Sequence, residues 1–258
     1  MDKRIGAQLY TVRDFVTTEA DFIDTMTRLA GFGYKSAQFS GVGDIAAPER
    51  LREICDGLGI EIACTHRGFG EYENGLDDLI KYHKALKCDI AGLGGLPGIY
   101  YNEGKVEQVD EAIRILNNAT ERLAAEGIEF AYHNHAFEFA KLENGQTIFD
   151  RFLENGKFKF ILDVYWVSFA GINPAKKIAE LGDRVSVLHY KDMKVNIQPY
   201  NTVTYTDVGN GNLDWDAIVA VSDKARWAMV EEDTCGDDNP IEALGKSYKF
   251  LTSNYDFI

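Results

Sequence analysis

The residues able to do chemistry are unevenly placed along this chain. Four of its five histidines, His66, His133, His135 and His189, fall at the C-terminal ends of short apolar runs. His83 lies inside a helical pattern and reads as a surface residue. Acids end other runs: Asp163 closes KFKFIL, Glu231, Glu232 and Asp233 follow WAMV, and Glu138 stands just beyond the His133–His135 pair. Any one of these is more simply a hydrogen-bonded structural group. Asp163 alone suits a cap for the next turn, and strand alternation turns Glu231 and Glu232 to opposite faces. Several separate runs ending in His or carboxylate are harder to obtain from packing. Two or three carboxylates with one imidazole make a hard, oxygen-rich site that suits a divalent Mn²⁺, Mg²⁺ or Co²⁺, with Zn²⁺ also compatible. Such a metal polarises a carbonyl, and a carboxylate of raised pKa then takes a proton from the adjacent carbon. Aldose–ketose isomerisation, epimerisation beside a carbonyl and dehydration share that chemistry.

These residues meet only if the elements carrying them converge. Strand patterns cover Ile5–Tyr10, Ser36–Ser40, Glu61–His66, Ile90–Gly94, Glu129–His135, Lys159–Val164, Val185–Tyr190 and Ala228–Glu232. Helical periodicity fills the gaps, as with Phe22, Met26 and Leu29 before Gly31, or Ile113, Leu116, Ala119 and Leu123 before Gly127. Eight alternating strand–helix units predict an α/β fold, a (β/α)8 TIM barrel forming one domain over 1–258, whose C-terminal strand ends share one face. The longest irregular stretch, roughly Asp192 to Gly211, is expected to be a loop on that face with a binding or covering role.

Bulk properties exclude other classes. The 258 residues carry a formal net charge of −14, which disfavours nucleic acid and anionic membrane surfaces as partners. Cys55, Cys64, Cys88 and Cys235 are scattered without a CxxC pair, as expected for reduced thiols. No apolar leader-like segment opens the chain and no run of 18 apolar residues occurs, so the expected location is cytoplasmic. GLGGLPG at Gly92–Gly98 follows a strand but lacks an acidic partner for a ribose. DVGNGNLDW, from Asp207, has the look of a phosphate cradle but suits a turn into an N-cap at Asn212 or Asp214. Aromatic residues near strand ends, Tyr10, Phe69, Tyr165, Trp166 and Tyr190, suit either a sugar face or the core.

IGAQLYTVRD, AYHNHAFEF, FILDVYWVSFAGINP, VLHYKD, DVGNGNLDW and VEEDT together resemble the sugar phosphate isomerase/epimerase group of xylose-isomerase-like barrels, from one end of the chain to the other. The resemblance implies an enzyme acting on a small sugar or polyol, with a divalent metal held by Glu, Asp, His and Glu from strands five to eight. Asp163, His189 and Glu231 match the last three. At the fifth strand, His133–Asn134–His135 replaces the Glu–Asn–His of many relatives, so Glu138 is the expected substitute ligand and His133 its competitor. Proton transfer is expected from Glu231 with Glu138, His133 or His135. His66 and Lys191 are expected to hydrogen-bond substrate oxygens, and Trp166 stands where some ketose epimerases place a substrate-contacting His. A lyase of the inosose dehydratase kind is the alternative enzyme. A multi-zinc DNA-repair endonuclease is disfavoured by the charge and the few histidines, and a non-catalytic sugar-binding barrel would need no metal set. Barrels of this kind often pair, so a homo-oligomer is compatible.

Overall fold

A computed structural model describes residues 5–236 and 238–256. Eight parallel strands close into a barrel: β1 (Ile5–Gln8), β2 (Ser36–Phe39), β3 (Glu61–Arg67), β4 (Ile90–Leu93), β5 (Glu129–His133), β6 (Lys159–Asp163), β7 (Val185–Tyr190) and β10 (Trp227–Val230). Helices α1 (Glu19–Phe32), α2 (Pro48–Leu58), α3 (Phe69–Asn74), α4 (Leu76–Leu86), α5 (Val106–Ala124), α6 (Ile148–Asn155), α7 (Val164–Phe169), α8 (Pro174–Leu181), α9 (Trp215–Val219) and α10 (Pro240–Asn254) follow them in turn. The neighbours run in chain order around the barrel, with β10 closing onto β1. The expected (β/α)8 architecture is present.

Local chemistry sets the helix ends. Thr18 accepts from the Asp21 N–H at the start of α1, and Gly33, at φ 114, ends it in the left-handed region. Phe22, Met26 and Leu29 are fully buried, each stabilising by about 1.5–3 kcal/mol relative to exposure. Most of the core lies between barrel wall and helices. A second, smaller cluster of Ala63, Cys64, Ile90, Ala131, Ile161, Val187, Trp227 and Met229 fills the barrel interior. Glycines keep that interior narrow. A Cβ on Gly92 would stand 2.2 Å from the Thr65 carbonyl oxygen and 2.7 Å from Ile161 Cδ1. Close strand packing therefore accounts for the glycine that opens GLGGLPG.

Two expectations need correction. His83 is buried, with Nε2 3.0 Å from Thr65 Oγ1 and Nδ1 3.0 Å from the Cys88 carbonyl. Burial pulls its pKa down to about 4, so it is a neutral structural residue. The stretch after β7 is also ordered: β8 (Asp192–Asn196) and β9 (Thr202–Thr206) form an antiparallel hairpin. The Asp192 carboxylate anchors its base, accepting from the N–H groups of Met193, Gly209, Gly211 and Leu213 and from Trp215 Nε1. The amides of DVGNGNLDW that suggested a phosphate cradle therefore enclose the chain's own carboxylate, and Asp214 caps α9 by accepting from the Ala217 N–H.

Candidate metal centre

Strand alternation carries the barrel interior directly into a polar rim. Interior side chains recur every second residue, so Ala131 leads to His133, Ile161 to Asp163, Val187 to His189 and Lys191, and Met229 to Glu231. Register aligns them across neighbours, with Asp163 and Met229 both opposite His189. His133, Asp163, His189 and Glu231 are all buried and offer ligand atoms lying within 4.8 Å of one another. His133 Nε2 is 3.4 Å from Asp163 Oδ2, and His189 Nδ1 is 3.8 Å from Asp163 Oδ2 and 2.8 Å from Glu231 Oε2.

The outer nitrogens show how this set is oriented. His189 Nε2 lies 2.9 Å from the Gln38 side-chain oxygen, and His133 Nδ1 lies 3.2 Å from the Gly94 carbonyl. Each acceptor receives that nitrogen's N–H and turns the opposite ring nitrogen inward, toward carboxylate oxygens; burial opposes charge on His189, but Glu231 and Asp163 raise its pKa. Buried carboxylate oxygens this close to one another need positive charge beside them, which the Lys191 ammonium supplies in this arrangement and a divalent ion would supply in its place. Imidazoles tethered through their second nitrogen are the usual supports of a bound metal, so the four residues fit a divalent ion. Asp163 is held from both sides. Its Oδ1 accepts from the Trp166 N–H, capping α7, while its own N–H donates to Asn134 Oδ1. It thus caps a turn and presents Oδ2 to the site.

Lys191 completes the cluster. Its buried Nζ is 3.0 Å from Asp163 Oδ2, 2.8 Å from Glu231 Oε2 and 3.0 Å from Asp233 Oδ1. Burial alone would raise both carboxylates, but the Lys191 ammonium, with imidazole contacts, holds Asp163 and Glu231 well below the usual carboxylate range. Burial opposes charge on Lys191 too, yet Asp163, Glu231 and Asp233 keep it firmly protonated.

A cavity of about 450 Å³ opens on this cluster. Its walls include His66, His133, His135, Lys191 and Glu231 from the expected set, joined by Tyr10, Arg13, Arg67, Tyr205 and Asp233. The His133 ring lies 4.6 Å from His189, 4.8 Å from His135 and 5.0 Å from His66. Burial and the neighbouring imidazoles hold His66 neutral, and burial pulls His135 down to about 3. Trp166 stands behind His135, ring centroids 5.4 Å apart, and is not among the lining residues. Tyr205 reaches the pocket from the hairpin, giving the expected covering loop a defined part.

Glu138 is the correction at the fifth strand. Its carboxylate accepts from the Tyr132 hydroxyl at 2.7 Å and the His135 N–H at 2.7 Å. Tyr132 has the opposite parity to His133 and packs on Phe152 and Phe158 in the outer core. Glu138 is thereby drawn into the wall. His133, not Glu138, joins the other three ligand candidates. Glu232 is likewise apart from the quartet, its carboxyl beside Cys235 and Asp207. Gln38 has no local signal in the sequence, and Asn134 and Arg13 are visible there only as parts of the His133–Asn134–His135 and QLYTVRD motifs.

Among solved structures the chain is similar to a sugar phosphate isomerase/epimerase from Parabacteroides distasonis, at 22% identity over 98% of this chain and 95% of that one, with a TM-score of 0.83. It is similar to a probable 3-DHS dehydratase from Bacillus anthracis, at 13% identity, 98% and 100% coverage and TM-score 0.76. An L-ribulose 3-epimerase follows at 13% identity, 98% and 94% coverage and TM-score 0.74. No curated protein sequence matches significantly. A family model matches residues 26–253, and the chain belongs to the xylose isomerase-like TIM barrel family.

Proposed function

We propose that this protein is a divalent-metal-dependent isomerase or epimerase that abstracts a proton beside the carbonyl of a sugar or keto-sugar. The observation that carries the reading is the buried quartet of His133, Asp163, His189 and Glu231, of which His133 and Glu231 line an open pocket. Two nitrogens among the four donors favour Mn²⁺, Co²⁺ or Zn²⁺ over Mg²⁺, whose hard oxygen preference they do not meet. When bound by these residues, a divalent ion would supply Lewis-acid polarisation of the substrate carbonyl. Glu231 lines the pocket and is ionised, so it is placed to accept the carbon-bound proton, although against burial Lys191 and His189 lower its pKa instead of raising it as expected of the base. His66 and His135, both neutral, offer hydrogen bonds to substrate oxygens without adding charge. Lys191 supports a developing negative charge near the same carboxylates.

A second reading keeps the site and changes the outcome, as in the probable dehydratase of similar fold. Two neutral imidazoles on the pocket wall suit hydrogen bonding to a departing hydroxyl, making the reaction an elimination. Metal-reconstituted protein incubated in D₂O with ketoses, 3-keto sugars and inososes separates the two. Epimerisation or isomerisation incorporates deuterium beside the carbonyl, whereas dehydration yields a conjugated product absorbing in the ultraviolet. A panel sugar that binds but shows neither change overturns both in favour of a non-catalytic barrel.

A further inference from the structure

The carboxylate oxygens that face the two imidazoles are the same ones that Lys191 holds. Asp163 Oδ2 and Glu231 Oε2 lie 3.0 and 2.8 Å from its Nζ, and they also face His133 Nε2 and His189 Nδ1. An ammonium and a divalent ion on shared oxygens repel strongly in a buried, low-dielectric site. One must give way. Lys191 has a third partner, since Nζ is 3.0 Å from Asp233 Oδ1, and Asp233 lies toward the pocket, with its side chain 22% exposed. Two rings flank the ammonium, Trp166 at 5.7 Å and Tyr205 at 5.8 Å, so a cation displaced toward Asp233 still lies among aromatic faces.

We propose that Lys191 is a built-in competitor for the metal: its ammonium occupies the Asp163 and Glu231 oxygens when the ion is away and is held by Asp233 when the ion binds. The inference rests on the reading of the quartet as a metal site. In this arrangement the buried carboxylates are never left without a positive partner, and the protein trades metal affinity for an intact apo site.

The test is calorimetric titration of chelator-treated protein with Mn²⁺ alone and Zn²⁺ alone, with folding checked by circular dichroism. Lys191→Met is expected to bind metal at least tenfold more tightly than wild type. Asp233→Asn, which deprives the displaced ammonium of its carboxylate, is expected to bind severalfold more weakly. Lys191→Gln serves if Lys191→Met does not fold. Wild type that binds metal, with folded Lys191 variants binding no tighter, overturns the competitor role and leaves the metal site standing. No metal uptake by wild type or variants overturns the metal site and the competitor role together. Uptake by a Lys191 variant alone is the strongest support, because it shows the ammonium excluding the ion.

Discussion

At the scale of single residues, the fifth strand decides which candidate ligand faces Asp163. His133 is oriented by the Gly94 carbonyl and faces Asp163, whereas Glu138 is taken up by Tyr132 and the His135 amide. Metal analysis after dialysis should therefore show Asp163→Ala, Glu231→Ala and His133→Ala losing at least about tenfold in affinity with the barrel intact, and Glu138→Gln keeping it. Full metal content in Asp163→Ala or His133→Ala would sink this assignment. Glu138 has its own signature. Burial raises its pKa from 4.5 to about 8, so the native state holds that proton more tightly than the unfolded chain. The resulting stability is intact below about pH 4.5 and is lost as the pH rises through 8. Denaturant unfolding across this window should show Glu138→Gln gaining on wild type by a few kcal/mol, on the order set by the size of the shift. Parallel pH profiles for the two proteins would contradict it.

At the scale of elements, Asp192 binds the hairpin to the barrel. Five N–H groups converge on its carboxylate, from β8, from the glycine turn and from the α9 tryptophan. Asp192→Ala leaves them without their acceptor and should cost at least about 3 kcal/mol. Limited proteolysis should then cut the variant between β8 and β9, in the hairpin whose β9 carries Tyr205 to the pocket wall. Unchanged stability and protease resistance would show that the amides find other partners. How much of each element was legible in sequence follows from range. The strands and helices appeared through periodicity, because each buries a face set by its own spacing. The hairpin did not, because β8 and β9 are exposed on much of their length and their base is tied by a carboxylate seventeen or more residues from four of the five N–H groups it binds.

At the scale of the molecule, a metal held by this quartet would be linked to folding. The donors come from β5, β6, β7 and the end of β10 and lie together only in the closed sheet. An ion that binds the native state alone should stabilise it by about 2.7 kcal/mol at one hundred times Kd. Thermal unfolding with Mn²⁺ or Zn²⁺, reversed by a chelator, checks this, and an unfolding midpoint independent of metal would argue against a native-state site. Among the described residues no helix is long and apolar enough to cross a membrane.

The sequence by itself determined the barrel and the rim. Eight apolar runs of strand length specify the parallel sheet, and period-two alternation places Asp163, His189, Lys191 and Glu231 on the inner face of their strands. Those are local properties, and local spacing encodes them. Only the tertiary structure brought His133 and not Glu138 to the quartet, buried His83, recruited Gln38 to orient His189 and seated Lys191 on the Asp163 and Glu231 oxygens. Each of these depends on which partner stands opposite a side chain, as Tyr132 does for Glu138 and Thr65 for His83. Partners supplied by other segments of the chain leave no periodic trace around the residue they position.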